Sequence, residues 1–331
     1  MTTQYSDEYD VVVAGSGVGG LSAAITAAER GARVLVLEKL DKLGGVTALS
    51  SGVLWPGPNP LSESLGIEDT VEEAQAYMNT ISRGLAKENL KLAYLATSRE
   101  AIHYFTKKIG VELQVIRGVP DYYYPSIQGS KAEGRFLESK PFPGKRLGKW
   151  ADKVLTSPYG PSFSYVTGTE WAASQTGQGN IVECLQRHVQ EDERCGGAGL
   201  SAALVYAALQ RNVEFRTSTA LADLIVEDGR VAGVLAEPVT SSSGGTGITN
   251  GTTNGNGNHE KALRLQARQG VVMAIGGYDW RKDLMQAFDG LKESSTMVPP
   301  TITGDHIVMA SKVGAIPIPA RLPGQSPIFV G

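Results

Sequence analysis

A chain of 331 residues, 41% of them apolar, has material for one large α/β domain or two smaller ones around a sizeable buried core. Its 31 basic and 34 acidic residues leave a net charge of -3 with no basic run, which argues against nucleic acid and anionic membrane surfaces as partners. Cys184 and Cys195, two isolated thiols, are not expected to serve as a disulfide framework or a four-ligand zinc site. We therefore expect a reducing, cytoplasmic compartment. The polar start MTTQYSDEYD lacks the basic and then apolar pattern of a secretion signal. Charges such as Glu29, Arg30 and Arg33 interrupt the apolar tracts before the ~20 residues a membrane span needs.

In chain order, Tyr9 to Ala14 is apolar apart from Asp10 and ends in glycines, as a strand buried on both faces of a parallel sheet would. Leu21, Ala24, Ile25 and Ala28 then recur at helical spacing, with Gly31 placed as the stop before a second strand, Val34 to Leu37. Strand, helix and strand fit one βαβ unit. Asp69 to Gly110 is rich in Glu, Ala, Leu and Lys without proline, which predicts helix. Gly118 to Gly179, crowded with Pro, Gly and Tyr, is expected to be largely loop over a site. A helix around Leu200 to Gln210 and a strand at Val213 to Arg216 lead into a hairpin turning at Glu227, Asp228 and Gly229. Its second strand, Arg230 to Glu237, runs into the Gly/Ser/Thr/Asn tract Thr240 to His259, with 241–259 expected to be a flexible surface loop. Gly270 to Ile275 reads as a further buried strand closed by Gly276 and Gly277.

Chemistry enters at Gly15-Ser16-Gly17-Val18-Gly19-Gly20. This is a G-x-G-x-x-G turn in which the first glycine permits the tight turn, the second admits a diphosphate and the third lets helix and strand pack. The amides and partial positive charge at the helix start then hold the anion. Glu38 ends the next strand, where an acid accepts both hydroxyls of a ribose and disfavours a 2′-phosphate. The turn alone leaves NAD and FAD open. His103, His188, Cys184 and Cys195 show no metal-ligand spacing, so no metal is expected, and nothing supports a hydrolase.

Lys39 and the loop Gly44-Gly45-Val46-Thr47-Ala48-Leu49-Ser50-Ser51-Gly52 decide between the two nucleotides. With the first turn they resemble the fumarate reductase/succinate dehydrogenase flavoprotein family, which has an E-K pair and a G-G-x-T-x-x-S-x-G loop along the flavin. Small residues admit a flat ring, and Thr47, Ser50 and Ser51 can hydrogen-bond its edge and the ribityl chain. The likeness extends to Gly199–Ala208 and Thr219–Gly233, which implies backbone at Leu221 beside adenine. It also takes in Ala274–Trp280, an A-x-G-G-[FY] stretch with Ala274, Gly276 and Gly277, and the T-G-D motif at Thr303-Gly304-Asp305. His306 stands where the family usually has glycine. The implied fold is an α/β, Rossmann-like FAD-binding domain of the glutathione reductase type over 1–277, with 278–331 opening a cap domain that is largely absent. The implied cofactor is FAD.

Asp121 to Pro125 (DYYYP), Gly134 to Phe142 (GRFLESKPF) and Leu147-Gly148 are similar to one branch, the 3-ketosteroid Δ1-dehydrogenases. That resemblance implies a small-molecule substrate such as a 3-oxosteroid, dehydrogenated beside its carbonyl with hydride passing to flavin N5. It also implies a tyrosine that assists a second one in the cap. Counting back from Pro125 selects Tyr123, and counting from Asp121 selects Tyr122. With the cap barely begun, we expect a truncated chain or one completed by a partner chain. A fumarate-reductase-like flavoprotein and an inert FAD-binding remnant are the competing readings.

Overall fold

The computed structural model describes residues 4–239, 262–293 and 295–316. The expected loop at 241–259 lies outside them. Strand β1 (Asp7–Ala14) leads through the glycine turn into helix α1 (Val18–Glu29), and strand β2 (Val34–Leu37) follows. α1 ends as its glycine predicts: Gly31 takes φ +87° and donates to Ala28, while Ala32 donates to Ala27. Those paired bonds satisfy carbonyls the helix would otherwise leave bare.

Short helices α2 (Gly45–Leu49) and α3 (Pro60–Ser64) precede the predicted helical stretch, which forms α4 (Val71–Ser82) and α5 (Glu88–His103). α4 begins on a reciprocal Thr70–Glu73 capping box, and α5 runs on through one wide turn, Tyr104–Ile109, to Gly110. Next come β3 (Leu113–Val115), β4 (Leu137–Ser139), β5 (Phe142–Pro143), a 3-10 segment Gly144–Lys153, α6 (Ser162–Tyr165) and α7 (Gly168–Gln175). The stretch Gly118 to Gly179 is still largely loop, with β4, β5, the 3-10 segment, α6 and α7 set into it. Its missed helix α7 has a local cause, a second capping box between Thr167 and Glu170.

Helix α8 (Ile181–Glu191), β6 (Glu193–Arg194) and α9 (Gly196–Leu209) complete this part of the chain. All of α9 is buried except Tyr206 and Leu209, which accounts for its apolar residues on every side. The chain then adds β7 (Glu214–Arg216), β8 (Thr219–Glu227), β9 (Arg230–Pro238), β10 (Leu263–Met273), α10 (Lys282–Leu284) and α11 (Asp305–Lys312). The turn between β8 and β9 is Asp228-Gly229, both with positive φ, as a two-residue hairpin of this kind requires.

Two compact units result: 1–41 with 212–331, and 42–211. The first is a six-stranded sheet in the order β7-β2-β1-β10-β9-β8, parallel from β7 to β10 and antiparallel through β9 and β8. Tyr9, Val12, Leu35, Leu37, Leu221, Val234, Leu265 and Met309 of α11 meet in its core. β10 corrects the expectation for Gly270 to Ile275. The strand starts at Leu263 and stops at Met273, and Gly270 onward is half-buried rather than buried. β9 pairs with it only over Leu263–Gln266, so the segment from Gly270 has a ladder on the β1 side alone. In the second unit α9 is the central element, packed by α2, α6 and β4.

Candidate cofactor site

In the first unit the glycine turn is closed from two sides. Gly15 donates to the Leu37 carbonyl at 2.8 Å and takes φ +97°. A Cβ there would lie 2.2 Å from the Ala274 carbonyl oxygen, so both conformation and space demand glycine. At Gly20 a Cβ would come within 1.9 Å of the Gly15 oxygen, which is why the helix can start so close to its strand. Gly17 caps α1 without a side-chain acceptor, and the first turn holds no acid. Gly19, exposed, has only the Ala274 methyl near its open side. An uncapped helix start on a turn of obligatory glycines suits a diphosphate.

Glu38 follows β2 and is 7% exposed. Its Oε2 accepts from the Ser16 amide at 3.0 Å and the Ser16 hydroxyl at 2.5 Å, while Oε1 accepts from the Leu40 amide at 2.9 Å. Burial pushes its pKa above the usual carboxylate value, with the Ser16, Leu40 and Lys39 hydrogen bonds pulling the other way. The acid is therefore held at the turn by Ser16 itself. Lys39 turns elsewhere: its Nζ reaches Asp305 Oδ2 and Thr303 Oγ1, each at 3.0 Å. It clamps the T-G-D segment to the end of β2. Gly304 caps α11 with φ +68°, so the left-handed residue is Gly304 and not His306. His306 Nδ1 is buried without a hydrogen-bond partner among the described residues, and burial lowers its pKa. Ala274 donates to the Ala14 carbonyl, and Gly277 accepts from Gly304. Leu221 points into the sheet core, beside a register shift in β8.

In the second unit the Gly44–Gly52 loop forms α2 and rests on the glycine start of α9. Gly44 is left-handed at φ +113°, and a Cβ on Gly52 would meet the Gly196 carbonyl carbon at 2.5 Å. Gly197 donates to Ser50 O, and a Cβ on Gly197 would lie 1.9 Å from Thr47 O. The Ser50 hydroxyl donates to Thr47 O and accepts from Gly52, so it braces its own loop. Gly45, Val46 and Thr47 are half-buried, whereas Ser50 and Ser51 are exposed. The buried Ser201 Oγ, beside Gly44, has no hydrogen-bond partner among the described residues. Close backbone packing and an unmatched hydroxyl fit a flat polar ring lying along the loop.

The tyrosines of the same unit stand on a buried ion cluster. Arg135, 1% exposed, binds both oxygens of Asp69 at 2.7 and 2.6 Å and Asp121 Oδ2 at 2.8 Å. Trp55 donates its indole N–H to Asp121 Oδ1 at 2.7 Å. The rings of Trp55 and Tyr77 lie 5.6 and 5.8 Å from the guanidinium carbon. Burial and then the Asp121 charge push the Tyr77 hydroxyl pKa up to about 12, and that hydroxyl donates to the Tyr122 carbonyl. Above this base Tyr122 and Tyr123 are 72% and 67% exposed, and Tyr123 takes φ +68°. Glu138, also from the GRFLE stretch, is fully buried and caps α7 through the amides of Gly168 and Thr169.

Sequence spacing did not foresee that Glu170, His188 and Cys195 meet. They sit on separate elements; the only local signal is Cys184 and His188 four apart on α8. Among the described residues, no helix is long and apolar enough to cross a membrane.

Comparison with known proteins follows the same lines. The chain is 30% identical over 328 residues to a 3-oxosteroid 1-dehydrogenase of Mycolicibacterium smegmatis, covering 93% of this chain and 54% of that protein. It is 30% identical over 314 residues to a 4-oxocyclohexanecarboxylate 2-dehydrogenase of Sinomonas cyclohexanicum, covering 93% and 50%. The solved 3-ketosteroid Δ1-dehydrogenase of Sterolibacterium denitrificans, in complex with 1,4-androstadiene-3,17-dione, superposes with a TM-score of 0.78 at 28% identity, over 93% of this chain and 55% of that one. The chain thus spans about half the length of these relatives. Its residues 10–323 match the family model of the FAD binding domain, and the chain belongs to that family, with FAD as its cofactor.

Proposed function

We propose that this chain is the FAD-binding part of an oxidoreductase that dehydrogenates a ring ketone beside its carbonyl, with 3-oxosteroids as the first substrate class to test. FAD, when bound, supplies the hydride acceptor. The chain's own residues take the following parts. The turn Gly15 to Gly20 holds the diphosphate, Glu38 takes the ribose hydroxyls, and Gly44 to Gly52 supports the ring. Tyr123, through its Oη, assists a second tyrosine in taking the substrate proton, with Tyr122 as the alternative.

The carrying observation is the buried Asp69–Arg135–Asp121 cluster. It spends three charges on fixing the base of a short loop whose tyrosines point outward. A loop that only covered a core would bury those rings instead. The ring-ketone class is supported by two relatives whose names specify an oxo group on a ring, one steroidal and one a cyclohexane.

Purified protein should be yellow, and its flavin should bleach when a 3-oxosteroid is added without oxygen. A colourless, folded protein would make the chain an inert remnant. Flavin that ignores ring ketones but reoxidises on fumarate would replace this reading with a fumarate-reductase-like one. Where bleaching is seen, Tyr123→Phe should slow it about 100-fold or more, the range of a lost acid–base group. A larger loss in Tyr122→Phe would move the role by one residue.

A further inference from the structure

Away from the cofactor turn, Glu170, His188 and Cys195 bring an oxygen, a nitrogen and a sulfur within 4.8 Å of one another. They come from α7, α8 and the residue that caps α9. The chain has only two cysteines, and the other one, Cys184, lies one helical turn before His188 on α8. Its thiol stands outside that group but near Glu170. Cys195 is the thiol inside the cluster, and Cys184 is the second sulfur on its border.

The histidine is arranged as a ligand would be. His188 is 1% exposed, with Nδ1 2.8 Å from Glu193 Oε2 and Nε2 2.9 Å from Glu170 Oε1. Nε2 also lies 3.2 Å from Arg187 Nη2, a group that can only donate. In the tautomer that carries its proton on Nδ1, given to Glu193, the ring would offer its Nε2 lone pair to an ion in the cluster. Imidazoles that bind metal ions are held in this way by an outer carboxylate. Glu170 Oε2 accepts from Thr167 in the capping box and also lies 3.2 Å from His188 Nε2, while Oε1 lies 2.9 Å from the same nitrogen. The cation now beside Nε2 and Oε1 is the Arg187 guanidinium, whose side chain is 52% exposed and can withdraw to water.

We propose that Glu170, Cys184, His188 and Cys195 form a site for a borderline-soft divalent transition-metal ion such as zinc, with Glu193 orienting the imidazole from outside. The N/O/S donor set is the kind zinc prefers over magnesium or calcium. Each ligating thiol releases its proton to solvent as the metal–sulfur bond forms. The ion would tie α7 and α8 to the start of α9, whose Gly196 and Gly197 carry the Gly44–Gly52 loop. This inference is independent of the substrate and of the tyrosine assignment.

The test uses the full chain with its flavin. Added Co2+ should saturate at one equivalent and raise a near-ultraviolet thiolate-to-cobalt band that Zn2+ abolishes. With two cysteines in the chain, that band reports Cys184 and Cys195 alone. C195S and C184S should each weaken it, and Glu193→Gln, which keeps all four ligands, should lower affinity about 10- to 100-fold. No band in folded protein, or an undiminished band in C195S, overturns the proposal. Should C195S fail to fold, the unaltered chain decides: one equivalent of Zn2+ must protect the half-exposed Cys184 from alkylation until a chelator is added. Alkylation at an unchanged rate overturns the site.

Discussion

At the residue scale, Glu38, as proposed to hold the ribose, has two tasks with opposite pH dependence. Its pKa is raised in the folded chain because burial disfavours the carboxylate. The folded protein therefore holds that proton more tightly than the unfolded chain does. The stability this contributes is complete below the unfolded value and is lost as pH rises through the folded one. Ribose binding needs the ionised form as a double acceptor, so FAD affinity should fall as pH drops through the same folded value. Glu38→Gln separates the two. At neutral pH the flavin-free variant should melt no lower than the parent, while FAD affinity drops roughly 10- to 100-fold, the value of a charge-assisted bond. Calorimetric titration and a thermal melt read both; a variant with undiminished affinity would remove Glu38 from the ribose. The glycines of the turn should behave unequally for steric reasons. Gly20→Ala puts a methyl on the Gly15 carbonyl and should cost about 1–3 kcal/mol in denaturant melts. Gly19→Ala, on the open face of α1, should stabilise by up to about 1 kcal/mol.

At the element scale, the ion cluster that carries the tyrosine loop was visible in the sequence only as separate letters. Asp121 and Arg135 belong to recognised motifs, but Asp69 and Trp55 lie outside them, and only the fold brings all four together. Local signals were easier to read. The Gly31 stop, the Asp228-Gly229 turn and both strands flanking α1 depend on neighbouring residues alone, and they occur within a residue or two of expectation. α7 was equally local yet masked by the prolines and glycines around it, although Thr167 and Glu170 spell its capping box. The cluster itself gives a clear prediction. Arg135→Met leaves Asp69 and Asp121 buried, 6% and 0% exposed at the side chain, without their cation. Stability should fall by about 3–5 kcal/mol. Adding Asp69→Asn and Asp121→Asn should recover a large part of it, because the cost lies in the orphaned charges rather than in the lost contact. A triple variant no more stable than Arg135→Met would place the cost in packing against Trp55 and Tyr77 instead.

At the scale of the whole molecule, the division into two units explains which parts of the cofactor assignment could be read in advance. The glycine turn proposed for the diphosphate and Glu38 sit within one βαβ unit, so a window of about thirty residues contains them. The second unit's loop depends on Gly196 and Gly197, far along the chain, and no pattern in Gly44 to Gly52 announces that partner. Nor did apolar patterning show where β10 begins, since its first half alternates with Arg264, Gln266 and Arg268. The two assignments can be tested separately by amide hydrogen exchange on the flavin-depleted chain. ADP carries the diphosphate and ribose but no flavin, so it should protect the amides of Gly17 to Leu21 in the first unit and leave Gly45 to Gly52 exchanging as before. FAD should protect both sets, because only it brings the ring that the loop is proposed to support. Protection of Gly45 to Gly52 by ADP alone would mean that the loop responds to the nucleotide end, and the ring would then need a different seat. Failure of either ligand to slow exchange at the start of α1 would remove the diphosphate from that helix.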